Sequence, residues 1–349
     1  MITGIQQIGI GVKNCSEAWK WYRENFGMDL RIFEDSAIAN IMLNYTGGEA
    51  RERHAVLAFN IQSGGGFEIW QYTKRTPEPP KFEVKLGDYG INITKIKSRN
   101  VKAVYDDFKS RNIEIIGNLE KSLSGDEHFF VKDPYNNFFE IVKDNYIFKE
   151  DKKLTGGVVG CTIGVSDIEK SVKFYQEILG YDEVVYDKEE KFDDLSFLPG
   201  GKENFHRVLL KHSKPRIGPF SALYGSTQIE LIQVIDRKAE KIFKNRFWGD
   251  LGFIHICFDI IGMSALREEC KTKGFPFVAD SSKSFDMGEA SGHFSYIEDS
   301  DGTLIEFVET TKVPIIKKIG WYLTLKTNKK VKQLPNWMVK SLRFNRYKD

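Results

Sequence analysis

The alternation of hydrophobic and polar residues near the start of the chain predicts a strand followed by a helix. In residues 5–27, IQQIGIGVKNCSEAWKWYRENFG, Ile8, Ile10 and Val12 alternate with polar or glycine positions. This period of two is typical of a strand with one packed face. The segment that follows has the helix signals of a polar capping residue, Asn14, and a closing Gly27.

The same pattern recurs along the chain. Residues 158–180, VVGCTIGVSDIEKSVKFYQEILG, repeat the strand and helix, with Asp167 or Ser166 as the cap and Gly180 as the terminator. Three further pairs of segments match: 65–72 with 227–234, 87–96 with 249–258, and 133–142 with 299–308. Amphipathic helices are predicted at 101–111 and 262–273. The chain is therefore a repeat within a repeat, with four strand–helix–strands units.

The unit spacing predicts two domains of ordinary size. The charged segment 149–157, KEDKKLTGG, is the predicted linker between a first domain at 1–146 and a second at 157–310. Residues 311–349 form a basic C-terminal extension.

Composition indicates a soluble globular protein, with 41% hydrophobic and 29% charged residues. No apolar run approaches the roughly 18 residues of a membrane span. The first residues show no basic leader before a cleavable apolar segment, and the four cysteines are scattered without CxxC spacing. We expect a cytoplasmic protein with reduced thiols.

The net charge of +2 conceals an asymmetry between the extension and the rest of the chain. Residues 311–349 hold eleven Lys or Arg and one acid, which leaves 40 basic and 48 acidic residues elsewhere. We expect the extension to pack on its own acidic body, and we expect no nucleic-acid partner.

Four βαβββ units in this order resemble the vicinal-oxygen-chelate superfamily, which includes glyoxalase I, methylmalonyl-CoA epimerase, ring-cleaving dioxygenases and antibiotic-sequestering proteins. The resemblance rests on the FYQEILG helix and the DSDGTLIEF strand and covers about residues 1–310. It implies an α+β fold in which the units form two cupped mixed sheets with helices outside. It implies little about the reaction, because one fold hosts many chemistries.

The resemblance also implies where ligands would lie, on the first and last strand of each unit. The positions in chain order are Gln7, Glu68, Asn92 or Ile93, Glu140, Gly160, Glu230, His255 and Glu306. Strand alternation supports three of them independently, because Glu68, His255 and Glu306 each lie between two apolar residues and so face away from the packed side.

Two ways of pairing the units give two different sites. Pairing within each half would join Glu230 to His255 and Glu306. Pairing of the outer units, as in fused two-domain glyoxalases, would join Gln7 and Glu68 to them instead. We favour the outer pairing because it collects the ligands in one cup and leaves a degenerate second cup with Glu140, Gly160 and Glu230.

One imidazole among oxygen ligands suits one divalent ion such as Zn, Ni, Mn, Fe or Mg. The His-His-Glu triad of iron dioxygenases would need a second imidazole where Gln7 or Gly160 stands, so that chemistry is disfavoured. His293, one strand before Glu306, is a candidate acid or base, and His128 occupies the matching place in the first half.

The leading hypothesis is a metal-dependent lyase, isomerase or epimerase that chelates two adjacent oxygens of a small substrate and stabilises an enediolate. Glu306 or Glu68 would be its base. The alternatives are a metal-free protein that binds or sequesters a small molecule, and a ring-cleaving or keto-acid dioxygenase. We expect a monomer or homodimer. Trp70 is a predicted cavity wall, and the loop cations Lys74, Arg75, Lys214 and Arg216 are candidates for holding an anionic substrate tail.

Overall fold

The computed structural model describes residues 1–281, 285–286, 291–325 and 332–347, and of 285–286 only the backbone. The first unit contains β1 (Ile2–Gly11), α1 (Cys15–Phe26), β2 (Leu30–Ile38), β3 (Glu52–Phe59) and β4 (Gly66–Tyr72). The second contains β5 (Gly90–Ser98), α2 (Val101–Ser110), β6 (Ile115–Lys121), β7 (Glu127–Lys132) and β8 (Phe138–Lys143).

The third and fourth units repeat this order. The third contains β9 (Val158–Gly164), α3 (Ile168–Leu179), β10 (Glu183–Glu190), β11 (Phe205–Lys211), the short α4 (Ser221–Tyr224) and β12 (Gln228–Val234). The fourth contains β13 (Gly252–Ile260), α5 (Met263–Thr272), β14 (Ala279–Asp280), β15 (Phe285–Asp286), β16 (Ser291–Glu298) and β17 (Leu304–Ile316). The extension adds β18 (Trp321–Thr324) and α6 (Asn336–Lys340).

The outer units share one sheet and the inner units share the other. In the outer sheet the path of strands is β14-β16-β17-β13-β1-β4-β3-β2, and in the inner sheet it is β10-β11-β12-β9-β5-β8-β7-β6. The first strands of two units pair antiparallel at each centre, β1 with β13 and β5 with β9. Each unit's last strand is parallel to its first. The outer pairing favoured by the sequence is therefore the one in the structure.

The helices begin and end where the sequence places their caps. The Asn14 side chain accepts hydrogen bonds from the backbone N–H groups of residues 16 and 17, and Asp167 accepts from that of Lys170. Gly27 and Gly180 both adopt the left-handed conformation, with φ of 63° and 73°. These caps fix where the chain leaves each first strand and returns to the sheet.

One continuous core joins the helices to the convex faces of both sheets. Phe26 of α1 contacts Phe67 of the outer sheet and Phe139 of the inner sheet, with ring centroids 6.3 and 4.9 Å apart. Two smaller apolar clusters lie inside the cups, one in each sheet. The predicted α+β fold, with two cupped mixed sheets and the helices outside, is confirmed.

The described part of the extension packs on the body of the protein. β18 pairs with β17, and Val339 and Leu342 are buried in the apolar cluster of the outer cup. Arg346 forms an ion pair with Asp151, and Tyr347 packs edge-on against Trp19. Among the described residues, none of the helices is long and apolar enough to cross a lipid bilayer.

Candidate metal site

Four strands of the outer sheet bring four predicted ligands to the same place. Gln7 lies on β1, Glu68 on β4, His255 on β13 and Glu306 on β17. The pairing of these strands sets Gly9 beside both Glu68 and His255, and Gln7 beside Cys257, the partner of Glu306. The side chains alternate along each strand, so the polar residues face the cup while their apolar neighbours face the helices.

The ligand atoms converge on the imidazole of His255. Its Nε2 lies 3.2 Å from Oε2 of Glu306 and 3.4 Å from Oε2 of Glu68. The donor atoms of these three residues all lie within 4.8 Å of one another. Nε2 of Gln7 donates a hydrogen bond of 3.2 Å to Oε2 of Glu306. The spacing is that of side chains arranged around a common point.

Two buried polar atoms at this point have no hydrogen-bond partner among the described residues. They are Nδ1 of His255 and Oε1 of Gln7, whereas Nε2 of His255 has the two carboxylates as neighbours. Buried polar groups in native proteins are nearly always paired, so unpaired ones require an explanation. Two carboxylates, an imidazole nitrogen and an amide oxygen are a donor set that fits a divalent ion. Gln7, Glu68, His255 and Glu306 would hold it.

Gly9 provides the space for the imidazole. A Cβ at this position would lie 2.3 Å from Cε1 of His255 and 2.7 Å from each ring nitrogen. The ring therefore lies directly over the β1 backbone, where only glycine leaves room. Trp248 stacks nearly parallel to the ring, with a centroid distance of 6.2 Å and an interplanar angle of 14°. The imidazole is thus held in one orientation from two sides.

The two carboxylates have different surroundings. Oε1 of Glu306 accepts a hydrogen bond of 2.8 Å from the Tyr296 hydroxyl, and its Oε2 accepts the one from Gln7. Glu68 contacts His255 and lines a cavity of about 410 Å³. Burial, together with the charge of Glu306, raises the pKa of Tyr296 well above its usual value, which keeps the phenol a hydrogen-bond donor. Both carboxylates line this cavity, but Glu306 is fixed by two hydrogen bonds, whereas the contact described for Glu68 is with His255.

The negative charges of Glu306 and Glu68 change the pKa of His255. Burial by itself lowers the pKa of this imidazole, but the carboxylates of Glu306 and Glu68 outweigh burial and raise the pKa to about 9. A site that attracts a proton this strongly also attracts a metal cation, which would compete for the same nitrogen.

The inner cup has a lysine in the middle of its carboxylates. Nζ of Lys95 forms ion pairs with both Glu140 and Glu230, the second at 2.8 Å. Nε of Arg207 donates to Glu230 at 2.8 Å, and Nδ1 of His128 lies 2.7 Å from Oε1 of Glu140. All five side chains are buried. The charges neutralise one another, so the inner cup is a closed ion-pair network.

The register explains the difference between the cups. Ile93 pairs with Thr162 as His255 pairs with Gly9, so Ile93 stands at the imidazole position. Gly160 pairs with Lys95 as Gln7 pairs with Cys257, so the inner cup also lacks the amide ligand. Asn92 binds the backbone of residues 87, 88 and 90 and does not replace these ligands. The inner cup therefore keeps only two of the four ligand positions.

The structure does not bring two of the predicted residues to the candidate metal site. Glu230, the alternative ligand, lies in the inner sheet bound to Lys95 and Arg207, because its unit pairs with the second unit and not with the fourth. His293 is not brought to the site: its Nε2 lies 2.5 Å from Oδ1 of Asp280. On β16, Phe294 and Tyr296 line the cavity, so His293 points to the opposite face.

The candidate anion-binding cations also have other roles. Arg75 pairs with the buried Asp250, and Nε of Arg216 donates to the carbonyl of Ile2. Neither they nor Lys74 and Lys214 line the cavity. Trp70, by contrast, does line it, as expected from its position two residues after Glu68.

Three residues of the two cups, Tyr296, Trp248 and Lys95, are not among the predicted site residues. Tyr296 was detectable, since it lies on the strand before Glu306 in the alternating segment HFSYIE. Lys95 also carried a signal, because a lysine between Thr94 and Ile96 on a strand buried on both faces needs a buried anion. Trp248 lies in a loop without periodicity, and no pattern in the sequence indicates its position.

Comparison with known proteins supports the fold assignment. Models of the Glyoxalase/Bleomycin resistance protein/Dioxygenase superfamily match residues 4–141 and 161–296. Among solved structures, glyoxalase I from Zea mays is 13% identical with a TM-score of 0.54, over 88% of this chain and 92% of that one. A candidate dioxygenase from Bacillus subtilis is 12% identical with a TM-score of 0.56, over 88% and 85%. A search of curated proteins finds no similar sequence.

Proposed function

Because the chain belongs to the glyoxalase/bleomycin resistance protein/dioxygenase superfamily, we propose that it is a metal-dependent enzyme whose outer cup acts on a small substrate with two adjacent oxygens. The observation that carries this proposal is the convergence of Gln7, Glu68, His255 and Glu306 beneath the cavity, with nitrogen and oxygen atoms that have no partner in the described residues. The reaction would be of lyase, isomerase or epimerase type.

In the proposed reaction the residues of the site have different roles. A divalent ion, when bound, would supply a Lewis acid for the two substrate oxygens. Glu306 would serve as a fixed ligand, since both its oxygens already accept hydrogen bonds. Glu68 would take the proton from the carbon next to the oxygens, because both carboxylates line the cavity and Glu68 is the one without the two hydrogen bonds that hold Glu306. Tyr296 and Gln7 would hold Glu306 in place.

The ion is not identified by these ligands. One imidazole and three oxygen donors suit Zn, Ni, Mn, Fe or Mg, and the surroundings are not those of a thiolate site. A second imidazole is lacking where a dioxygenase triad would have one, since Gln7 occupies that position. We therefore rank oxygenase chemistry below proton transfer.

Metal analysis of the purified protein tests the proposal. We expect about one divalent ion per chain, and a loss of that ion in His255→Ala and Glu68→Ala. Glu230→Ala is the matched control, since it removes a carboxylate at the equivalent position of the inner cup; because this variant should be less stable, metal is counted per folded chain, and that content should be unchanged. Absence of metal in the wild type, or the same metal content in all variants, would contradict the proposal.

A second candidate is a metal-free protein that binds a small molecule. The observation in its favour is the cavity itself, whose walls are mostly apolar and aromatic. Unchanged ligand binding after complete removal of metal by a chelator would favour this candidate over the enzyme.

A further inference from the structure

The cavity above the candidate metal site has a definite chemical character. Its volume is about 410 Å³, which is in the range of sites for small organic molecules. Its walls come from distant parts of the chain, including Phe33 on β2, Phe220 before α4, Phe294 on β16, and Leu342 in the extension. The described walls are therefore mainly apolar, while the polar ligand set lies at one end.

The charged residues in the described walls are already engaged. NH2 of Arg53 lies 3.2 Å from Oδ2 of Asp35, and the same guanidinium donates to the Asp35 carbonyl. Nζ of Lys312 lies 4.9 Å from the centre of the Tyr322 ring. The remaining charged residues of the wall are the ligands Glu68 and Glu306. An anionic group elsewhere on a ligand would therefore have to compete with the existing interactions of Arg53 and Lys312.

The cavity also has uncharged polar groups: the side chains of Gln6, Asn40, Ser281, Ser291 and Thr310 line it, as do two indole rings. Nε1 of Trp70 and Nε1 of Trp248 are buried and have no hydrogen-bond partner among the described residues. Both side chains line the cavity. Because an indole N–H only donates, it suits an oxygen acceptor on a bound molecule.

We propose that the substrate of the outer cup carries an uncharged, apolar alkyl or aryl body attached to its pair of oxygens. This inference rests on the proposed function and adds the class of molecule on which it acts. The oxygens would lie at the ligand end and within reach of indole donors, and the body would occupy the apolar walls. A charged carrier group would lose its hydration there, and the cations that the described walls offer are already in interactions with Asp35 and Tyr322.

Hydroxamates test this substrate class, since each chelates a metal through two adjacent oxygens. The probes are acetohydroxamate, hexanohydroxamate, and the monohydroxamate of adipic acid, which has the length of hexanohydroxamate but ends in a carboxylate. Calorimetry with the full-length, Mn²⁺-loaded protein would give the three affinities. Since each of the four additional methylenes adds about fourfold when buried, we expect hexanohydroxamate to bind about 250-fold more tightly than acetohydroxamate. The adipic derivative should bind at least about tenfold more weakly than hexanohydroxamate.

Variants at Phe294 provide the matched control, because this half-buried residue lines the cavity without being a ligand. Phe294→Ser should weaken hexanohydroxamate about fivefold or more and leave acetohydroxamate within about twofold, whereas Phe294→Leu should keep most of the affinity. Equal affinities for the two alkyl probes, or tightest binding of the adipic probe, would overturn the substrate class alone. Failure of all three probes to bind would overturn the proposed function with it.

Discussion

At the scale of single residues, the site depends on a glycine as much as on its ligands. Gly9 leaves the space in which the His255 ring lies, and Thr162 takes the same place in the inner cup, where its hydroxyl donates to Glu230 at 2.9 Å. The glycine leaves the outer strand open to an imidazole, whereas the threonine side chain fills the equivalent place in the inner cup.

Gly9→Ala should weaken metal binding about tenfold or more, because the new Cβ would overlap the imidazole and force it away from the carboxylates. The measurement is a competition titration against a chelating dye. Thr162→Ala is the control, since it changes the equivalent inner position and should leave the affinity as in the wild type. An alanine at position 9 without effect would contradict the proposed position of the ring.

Also at the residue scale, the buried carboxylates of the inner cup make the free energy of unfolding depend on pH. Burial raises the pKa of Glu230, but Arg207 and Lys95 outweigh it and hold the pKa well below its usual value. The pKa of Glu140 is lowered by Lys95 and His128 in the same way. Because these pKa values are depressed in the folded protein, their stabilisation is complete above about pH 4.5 and is lost as the pH falls.

Glu230→Gln should therefore flatten the pH dependence of the free energy of unfolding below about pH 4.5. It should also destabilise the protein by about 3 to 5 kcal/mol at pH 7, since two buried cations lose a carboxylate. Urea unfolding at a series of pH values measures both effects. The exposed Glu183 provides the control as Glu183→Gln, and a wild-type pH slope in Glu230→Gln would refute the network's role.

At the scale of elements, the extension belongs to the outer cup. Leu342 is buried there and lines the cavity, and Asn345 donates to the carbonyls of Pro314 and Ile315 on β17. The basic charge of this segment is met in part by acids of the body, as in the contact of Arg346 with Asp151. The expected packing of the tail on its own protein is what the described residues show.

Leu342→Ala should lower the free energy of unfolding by about 2 to 5 kcal/mol, because it removes buried methyl groups and leaves a void. Chemical denaturation followed by Trp fluorescence measures the change. Phe344→Ala, at a largely exposed neighbour, should stay within about 0.5 kcal/mol of the wild type. If both variants were equally neutral, the extension would not be part of the folded core.

At the scale of the whole molecule, the two halves of the sequence interlock. Each half supplies one unit to the outer sheet and one to the inner sheet, so neither half contains a complete cup. The predicted domain bounds at 1–146 and 157–310 stay predictions, but the cups are built across them. Contacts such as that of Gln7 with Glu306 join segments near the two ends of the chain.

A fragment of residues 157–349 should therefore bind metal weakly, even though it contains His255 and Glu306. It lacks Gln7 and Glu68 and exposes the edge of β13, which would promote aggregation. Co-expression with residues 1–156 should restore about one ion per complex, measured by metal analysis after gel filtration. A fragment that holds the ion with full-length affinity on its own would contradict the interlocked arrangement.

The sequence by itself determined the local parts of this protein. Strand alternation and helix caps are short-range, so they revealed the four units and showed that Glu68, His255 and Glu306 face away from the packed side. The tertiary structure decided which units share a sheet. All four offer similar strand edges, and only the packing of the complete chain selects the pairing of β1 with β13. That pairing gives His255 two carboxylates, and it turns the inner cup, with Lys95 at its centre, into a closed network of charges.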